Sequence, residues 1–428
     1  AALPRGTDEL AALLAACNER GIGVVPHGGN TSYCGGATPD ESGRQLVVSP
    51  RRMDRVRDLD AANDSITVEA GCTLAAVQQA AAAAGRYFPL ELGSAGSCQI
   101  GGNLATNAGG LNVLRFGMAR ALVLGIEAVL ADGRVLASPR GLRKDNTGYD
   151  LAGLLVGSEG TLGVITAATL RLWPAMRHGA TAFCAVPGVA EAIALLGELR
   201  AAAGEELNSF ELLPDSALVL LRQQLPAIPL PLAPGSSPWY VLCEVQTSAD
   251  RSPAPQLEQA LERATASGLV SDALLAGSAR QRDALWQLRE SIPEAQRRAG
   301  PSLKHDISVP VSALPAFVAE AARWVGEQLP DALLVAYGHA GDGNLHFNMS
   351  LPVDAGADRV AADQARARRA IHDLVAAHHG SFSAEHGIGR LKVEELERYA
   401  DPARLAAMRA IKRALDPRGI MNPGKLLP

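Results

Sequence analysis

The chain has 428 residues, 47% of them hydrophobic and 20% charged, with a formal net charge of −5. This balance describes a globular protein of about two domains, with no basic footprint for nucleic acid or an anionic membrane surface. Aromatic residues, at 4%, are too few for a base-stacking platform, and no apolar run approaches the roughly 20 residues of a membrane span. Cys17, Cys34, Cys72, Cys98, Cys184 and Cys243 show no CxxC spacing, which fits reduced thiols in a cytoplasmic compartment. Nothing reads as a signal peptide, and residue 1 is Ala rather than Met, so a processed or trimmed form is expected.

In chain order, Leu10, Leu13, Leu14 and Cys17 follow helical spacing, with Thr7 as the expected N-cap and Gly21 as the stop. A short strand at Val24 and Val25 runs into a polar loop over 26–37. A strand over 66–69 and an Ala-rich helix over 73–84 follow. From 89 to 112 the glycine content predicts no regular element. Strands resume over 123–130, with an Asp132-Gly133 hairpin turn, and over 163–172. Pro174 marks a domain boundary. Beyond it, predicted helices at 189–203, 257–267, 280–289 and 314–328 alternate with strands at 240–245, 333–337 and 345–351. The stretch 226–238 reads as an exposed loop, and the tail carries a helix over 402–415. There is no internal repeat.

Two glycine-rich segments look built to hold a phosphate-bearing cofactor against bare backbone. In the first, Pro26, His27, Gly28, Gly29, Asn30, Thr31 and Ser32 precede Gly35 and Gly36, so that successive amides can converge on an anion. The second runs from Gly93 through Ser97 to Gly101, Gly102, Asn103, Thr106 and Asn107, and its small residues let a flat ring lie close to the main chain. A third, 157–163, feeds a strand. Neither of the first two matches a GxGxxG fingerprint, and no Walker lysine is present. Each segment alone would also suit an ordinary surface loop.

Residues 339–348 read His-Ala-Gly-Asp-Gly-Asn-Leu-His-Phe-Asn, and Glu385-His386 follows in a second polar loop. The predicted hairpin, turned by Gly341, Asp342, Gly343 and Asn344 with positive φ at Gly and Asn, brings His339 and His346 together. His346 and Asn348 then share one strand face. Two imidazoles and a carboxylate suit zinc with an open coordination position. Manganese or cobalt would accept the same donors.

Together these segments resemble the FAD-linked oxidases of the vanillyl-alcohol oxidase type, in the branch that oxidises D-2-hydroxy acids, over essentially the whole chain. The resemblance implies an α+β fold: a vanillyl-alcohol-oxidase-type FAD-binding domain over 1–175, and an antiparallel-sheet α+β substrate- and metal-binding cap domain over 176–395. A C-terminal segment, 396–428, would return to the flavin site. Family members normally carry further sequence before the point where this chain begins, including an early strand of the FAD domain. The resemblance assigns the FAD pyrophosphate loop to Pro26, Gly28, Gly29, Asn30, Thr31 and Gly35, with His27 where Arg is usual. Pro89, Gly93, Ser97, Gly101, Gly102, Asn103, Thr106 and Asn107 would run along the flavin. Glu159, Gly163, Ile165 and Asn422 would close the cofactor site. Members with covalent flavin often carry His where Asn30 stands, so non-covalent FAD is implied.

By the same resemblance His339, His346 and Glu385 ligate zinc, and Asn348 and His386 face the substrate, with His386 as the catalytic base. Arg289 and Lys304 would bind substrate carboxylates. The run over 142–151 points to D-2-hydroxyglutarate, oxidised to 2-oxoglutarate by hydride transfer to the flavin. An electron-transfer flavoprotein or a quinone, rather than NAD, would take the electrons, and a homodimer is implied. At Pro293 related chains present a Thr hydroxyl, which proline cannot replace as a donor; D-malate or D-lactate therefore stays open as substrate. The residues by themselves also leave open a zinc hydrolase with a nucleotide-binding half, a solvated Arg289, an ion-paired Lys304, and His386 as a fourth zinc ligand.

Overall fold

Leu10, Leu14 and Cys17 stack on one face of the helix Thr7–Arg20 and bury it against Val24, Val48, Val129, Val164, Ile420 and Met421. In this computed structural model, which describes residues 1–427, that helix belongs to the first of two units. The first unit comprises Ala1–Asn112, Phe116–Ala175 and the chain from Glu385 onward, and the second comprises Val113–Arg115 and Met176–Ala384. The segment that returns to the first unit thus begins at Glu385, ahead of the 396 expected from the sequence.

In the first unit Thr7 is the first helical residue and Gly6 the N-cap; the Thr7 hydroxyl donates instead to Glu127 Oε1 at 2.6 Å. The helix stops at Gly21, whose φ of 65° costs a glycine little. Strand Gly23–Pro26 pairs in parallel with Gln45–Val48 and leads directly into the first glycine loop. A five-stranded antiparallel sheet runs in the order Val56–Asp60, Ser65–Glu69, Val164–Arg171, Val123–Val129, Val135–Ser138. Its central strand, Val164–Arg171, is buried at every position but the last. The last two strands of that order form the expected hairpin, with φ 86° at Gly133. Thr73 caps the helix Leu74–Ala83 by accepting the Ala76 N–H.

The stretch 89–112 is not wholly irregular, as its glycines had implied: Ile100–Ala105 is a short helix. Gly101 lets this helix approach the neighbouring chain, since a Cβ there would stand 2.7 Å from Ala70 Cβ. The tail carries helices Val393–Tyr399 and Pro402–Leu415. Lys412 Nζ then donates to the carbonyls of Thr161 and Met421 and to Asp416, tying the tail to the segment before the central strand.

The second unit is built on a four-stranded antiparallel sheet in the order Leu207–Pro214, Trp239–Thr247, His178–Val186, Asp272–Leu275. Helices Val189–Ala203 and Ala254–Ala266 contribute to a core with one face of the sheet. Helices Asp215–Gln224, Ala279–Glu290 and Ile292–Ala299 pack with the residues that alternate with these. Burial on both faces explains why the inner strands read as continuous apolar runs. In a second sheet, Asn344–Ser350 pairs antiparallel with Leu333–Tyr337, Asp306–Ser308 and Ser302–Leu303. Among the described residues, no helix is long and apolar enough to cross a membrane.

Candidate functional site

The first unit gathers its glycine-rich segments at the end of strand Gly23–Pro26. A Cβ on Gly29 would stand 2.3 Å from Ser97 O and 2.8 Å from Cys98 Cα, so the two glycine loops touch main chain to main chain. Gly28 faces Gly102, whose Cα is 3.4 Å from the corresponding Cβ position. Asn30 and Thr31 are exposed, as are Gly93 and Ser97. Beside Gly35, a Cβ would meet the Arg390 side chain at 3.2 Å. Thr106 donates to Gly102 O, Asn107 Oδ1 accepts the Arg120 N–H, and the carbonyl of Pro89 accepts from Asn112. Asn103 is buried with its amide on Cys98 Sγ; Gly163 and Ile165 lie buried at the head of the central strand.

Glu159 joins three of these segments. Its carboxylate accepts the N–H groups of Ile388 and Gly389, and its own carbonyl accepts from Asn422 Nδ2, which also reaches Gly36 O. Burial pushes the Glu159 carboxyl above its ordinary range, opposed by those two amides and by Lys392. Asn30, Asn107, Glu159 and Asn422 all hold positive φ, between 43° and 53°. Such backbone strain, costing of order 1–3 kcal/mol per residue, concentrates at ligand sites. His386, just before Gly387, packs its ring against Tyr33 edge-on, with centroids 4.9 Å apart.

These residues fit FAD. Gln99 Oε1 is buried without a hydrogen-bond partner, 3.6 Å from where a Gly28 Cβ would be, and Asn422 Oδ1 is likewise unmatched. Both oxygens want donors, which ribityl and ribose hydroxyls provide.

The polar cluster of the second unit starts from a register. Leu212 and Gly338 exchange backbone hydrogen bonds at 2.9 and 3.0 Å, which sets Glu211 opposite His339. Glu211 Oε1 then lies 2.5 Å from His339 Nδ1, and Oε2 accepts Arg289 Nε at 2.5 Å. Burial opposes charge on Glu211, yet Arg289 and His339 overcome it and hold the carboxyl far below its ordinary range. Arg289 is only 6% exposed, and its guanidinium also lies over the Tyr337 ring at 4.8 Å. It is a buried, ion-paired group rather than a solvated one.

The hairpin forms as expected and brings the His339 and His346 rings within 5.6 Å. Its positive φ values fall on Gly338 and Gly343 and not on Asn344, whose side chain instead bonds Asp306 and Ile307 O. Asn348 shares the His346 strand, is buried, and has both amide ends engaged: Oδ1 accepts the His305 N–H and Nδ2 donates to Gln296. Lys304 is exposed between the two short strands that flank that segment. Pro293 is exposed in the first turn of Ile292–Ala299. The unit ends at Ala384, whose N–H reaches Asp306 O at 3.3 Å; Asp306 is the register partner of His346, and Glu385 is the next residue along the chain.

The donor set fits a divalent cation. A carboxylate on Nδ1 is the arrangement usual for a metal-bound histidine, and it would leave Nε2 of His339 to meet the cation. Sequence reasoning missed Glu211 and its neighbour Glu244. The available signal was an isolated acid inside each of two apolar strands, 207–214 and 239–247.

The chain resembles known proteins at two levels, in sequence and in fold. Residues 175–426 match the family described as FAD linked oxidases, C-terminal domain, and residues 1–138 match the FAD binding domain. The chain belongs to the FAD-linked oxidases. Within that class it is similar to the mitochondrial D-2-hydroxyglutarate dehydrogenase of Bos taurus, 42% identical over 99% of this chain and 76% of that protein. The mitochondrial enzyme of Arabidopsis thaliana is 37% identical over 100% of this chain and 74% of its own. A D-2-hydroxyglutarate dehydrogenase of Xanthomonas citri pv. viticola is 38% identical over 99% and 88%. Among solved structures, p-cresol methylhydroxylase with substrate bound superposes with a TM-score of 0.75 at 16% identity, over 99% of this chain and 87% of that one. Alkyldihydroxyacetonephosphate synthase gives 0.73 at 16%, over 99% and 76%. At that identity the likeness is one of fold, and it is the vanillyl-alcohol-oxidase-type α+β fold expected from the sequence.

Proposed function

We propose that the chain is an FAD-dependent D-2-hydroxy-acid dehydrogenase that oxidises D-2-hydroxyglutarate to 2-oxoglutarate. The observation that carries this reading is the Arg289–Glu211–His339 array, in a chain similar over its whole length to enzymes of that name. FAD, when bound, supplies the acceptor for the C2 hydride, and a divalent cation such as zinc, when bound, supplies a Lewis acid at the hydroxyl end. His339, His346 and Glu385 are the residues that would hold the cation. In support, His339 and His346 stand together, and Glu385 follows a residue hydrogen-bonded beside the His346 strand.

His386 takes the proton from the substrate hydroxyl, its ring set by Tyr33 and by the Glu159-anchored turn that follows. Arg289 meets one carboxylate with a planar fork and Lys304 meets another as a point charge. Asn348, locked by Gln296 and His305, shapes the wall beside His346. Electrons then pass to a flavoprotein or quinone acceptor. Pro293, exposed and without a donor, favours a second reading in which a shorter acid such as D-malate or D-lactate is preferred.

The test is an anaerobic visible spectrum of the purified protein during addition of D-2-hydroxyglutarate, D-malate or D-lactate, before and after chelation. Bleaching of the flavin bands by D-2-hydroxyglutarate, abolished by the chelator, is the expected result. Bleaching by another acid alone would change the substrate. Folded protein that carries no flavin and takes none up would end the proposal.

A further inference from the structure

We propose that Glu211 is a positioning residue that ties the cation end of the site to its carboxylate end, orienting His339 with one oxygen and Arg289 with the other. The inference rests on the metal-site reading above and extends it to a residue outside the ligand set.

Three observations carry it. The reciprocal backbone bridge between Leu212 and Gly338 fixes Glu211 opposite His339 independently of any side-chain choice. Glycine is required at 338, where φ is 141° and a Cβ would crowd Asn344 O at 3.2 Å and His346 N at 3.3 Å. Glu211 itself is 1% exposed, so water cannot stand in for either of its partners. An ionised carboxylate only accepts hydrogen bonds. The Glu211–His339 Nδ1 contact at 2.5 Å fixes the plane and direction of the ring, so that Nε2 is the nitrogen that would meet a cation.

The other oxygen holds Arg289 by Nε, with Tyr337 beneath the guanidinium plane. A guanidinium gripped at Nε and stacked on a ring is held in one plane, which sets the direction of its terminal nitrogens. One buried carboxylate thus fixes the spacing between the group that meets the hydroxyl end of a substrate and the group that meets a carboxylate. An alternative role for Glu211, as a mere counter-charge for Arg289, predicts different behaviour when both charges are removed.

The experiment measures zinc affinity of metal-stripped, FAD-loaded full-length protein by competition with a chromophoric chelator. Wild type, Glu211→Gln, the double variant Glu211→Gln/Arg289→Gln and His339→Ala are compared. Glu211→Gln should bind zinc about 10–100-fold more weakly, the usual effect of losing such a partner of a metal-bound histidine. The double variant, which leaves no unpaired buried charge and so guards against misfolding, should stay weakened. Wild-type affinity in folded Glu211→Gln, or its recovery in the double variant, would overturn the inference. If wild type binds zinc no better than His339→Ala, the metal reading itself fails and takes this inference with it.

Discussion

Glu159 accepts the backbone N–H of Ile388 at 2.7 Å across 229 residues of sequence, and that of Gly389 at 2.6 Å. Gly387 lies so close that a Cβ there would stand 2.6 Å from Glu159 Oε1. The turn carrying His386 is therefore moulded on one side chain from the loop that precedes strand Val164–Arg171. Replacing Glu159 by Ala strips two amides of their acceptor, at about 1–3 kcal/mol for each amide left buried. Hydrogen exchange should accelerate at Ile388 and Gly389 well before the rest of the unit opens. Unchanged protection at both amides would show that the turn holds itself.

Gly29→Ala is expected to abolish flavin retention. The added Cβ would meet Ser97 O at 2.3 Å and Cys98 Cα at 2.8 Å, both main-chain atoms that cannot rotate away. The two loops would have to part by more than an ångström. The ratio of flavin to protein absorbance after purification reads the effect, with circular dichroism confirming a folded chain. A variant that stays fully yellow would place the cofactor away from this loop.

The hairpin of His339 and His346, the glycine loops and the helix stops were legible because each depends on local backbone chemistry. Gly133 at the tight turn and Gly21 at the helix end show it. The strand His178–Val186 escaped because burial on both faces removes the alternation that marks a strand, and Leu207–Pro214 because buried Asn208, Ser209 and Glu211 break up its apolar run. Helix Ile100–Ala105 escaped because its glycines serve close packing rather than chain reversal. Glu211 was invisible for a different reason. Its partners His339 and Arg289 lie 128 and 78 residues away, and only the pairing of Leu212 with Gly338 makes them neighbours.

His386→Ala should leave the protein yellow while slowing anaerobic flavin reduction by at least about a hundredfold, the scale of a lost general base. Tyr33 meets the His386 ring edge-on with centroids 4.9 Å apart, so Tyr33→Ala should give a smaller loss in the same direction. Stopped-flow reduction separates this from product release. Near-normal reduction in His386→Ala would remove the residue from the proton-transfer role.

Glu244 predicts an acid-side limit to stability. It is 2% exposed and accepts from Arg282 Nε at 2.8 Å, Trp286 Nε1 at 2.8 Å and Thr181 Oγ1 at 2.7 Å. Ser209 is its register partner while Glu211 faces Leu242, so both acids project from one face of the sheet. Arg282, Trp286 and Arg289 follow at helical spacing on Ala279–Glu290, and these two carboxylates hold them. Burial raises the Glu244 carboxyl, but Arg282, Trp286 and Thr181 outweigh it and leave the folded value below the ordinary one. A carboxyl depressed by folding stabilises above its unfolded pKa, about 4.3, and that contribution is lost as pH falls through the lower folded value. Glu244→Gln should therefore cost about 2 kcal/mol at pH 7, the scale of charged hydrogen bonds to a partly exposed Arg282. The cost should shrink as the pH drops below about 4. Urea midpoints of both proteins at the two pH values test this; an equal gap at both would mean that charge on Glu244 is not what anchors the helix bearing Arg289.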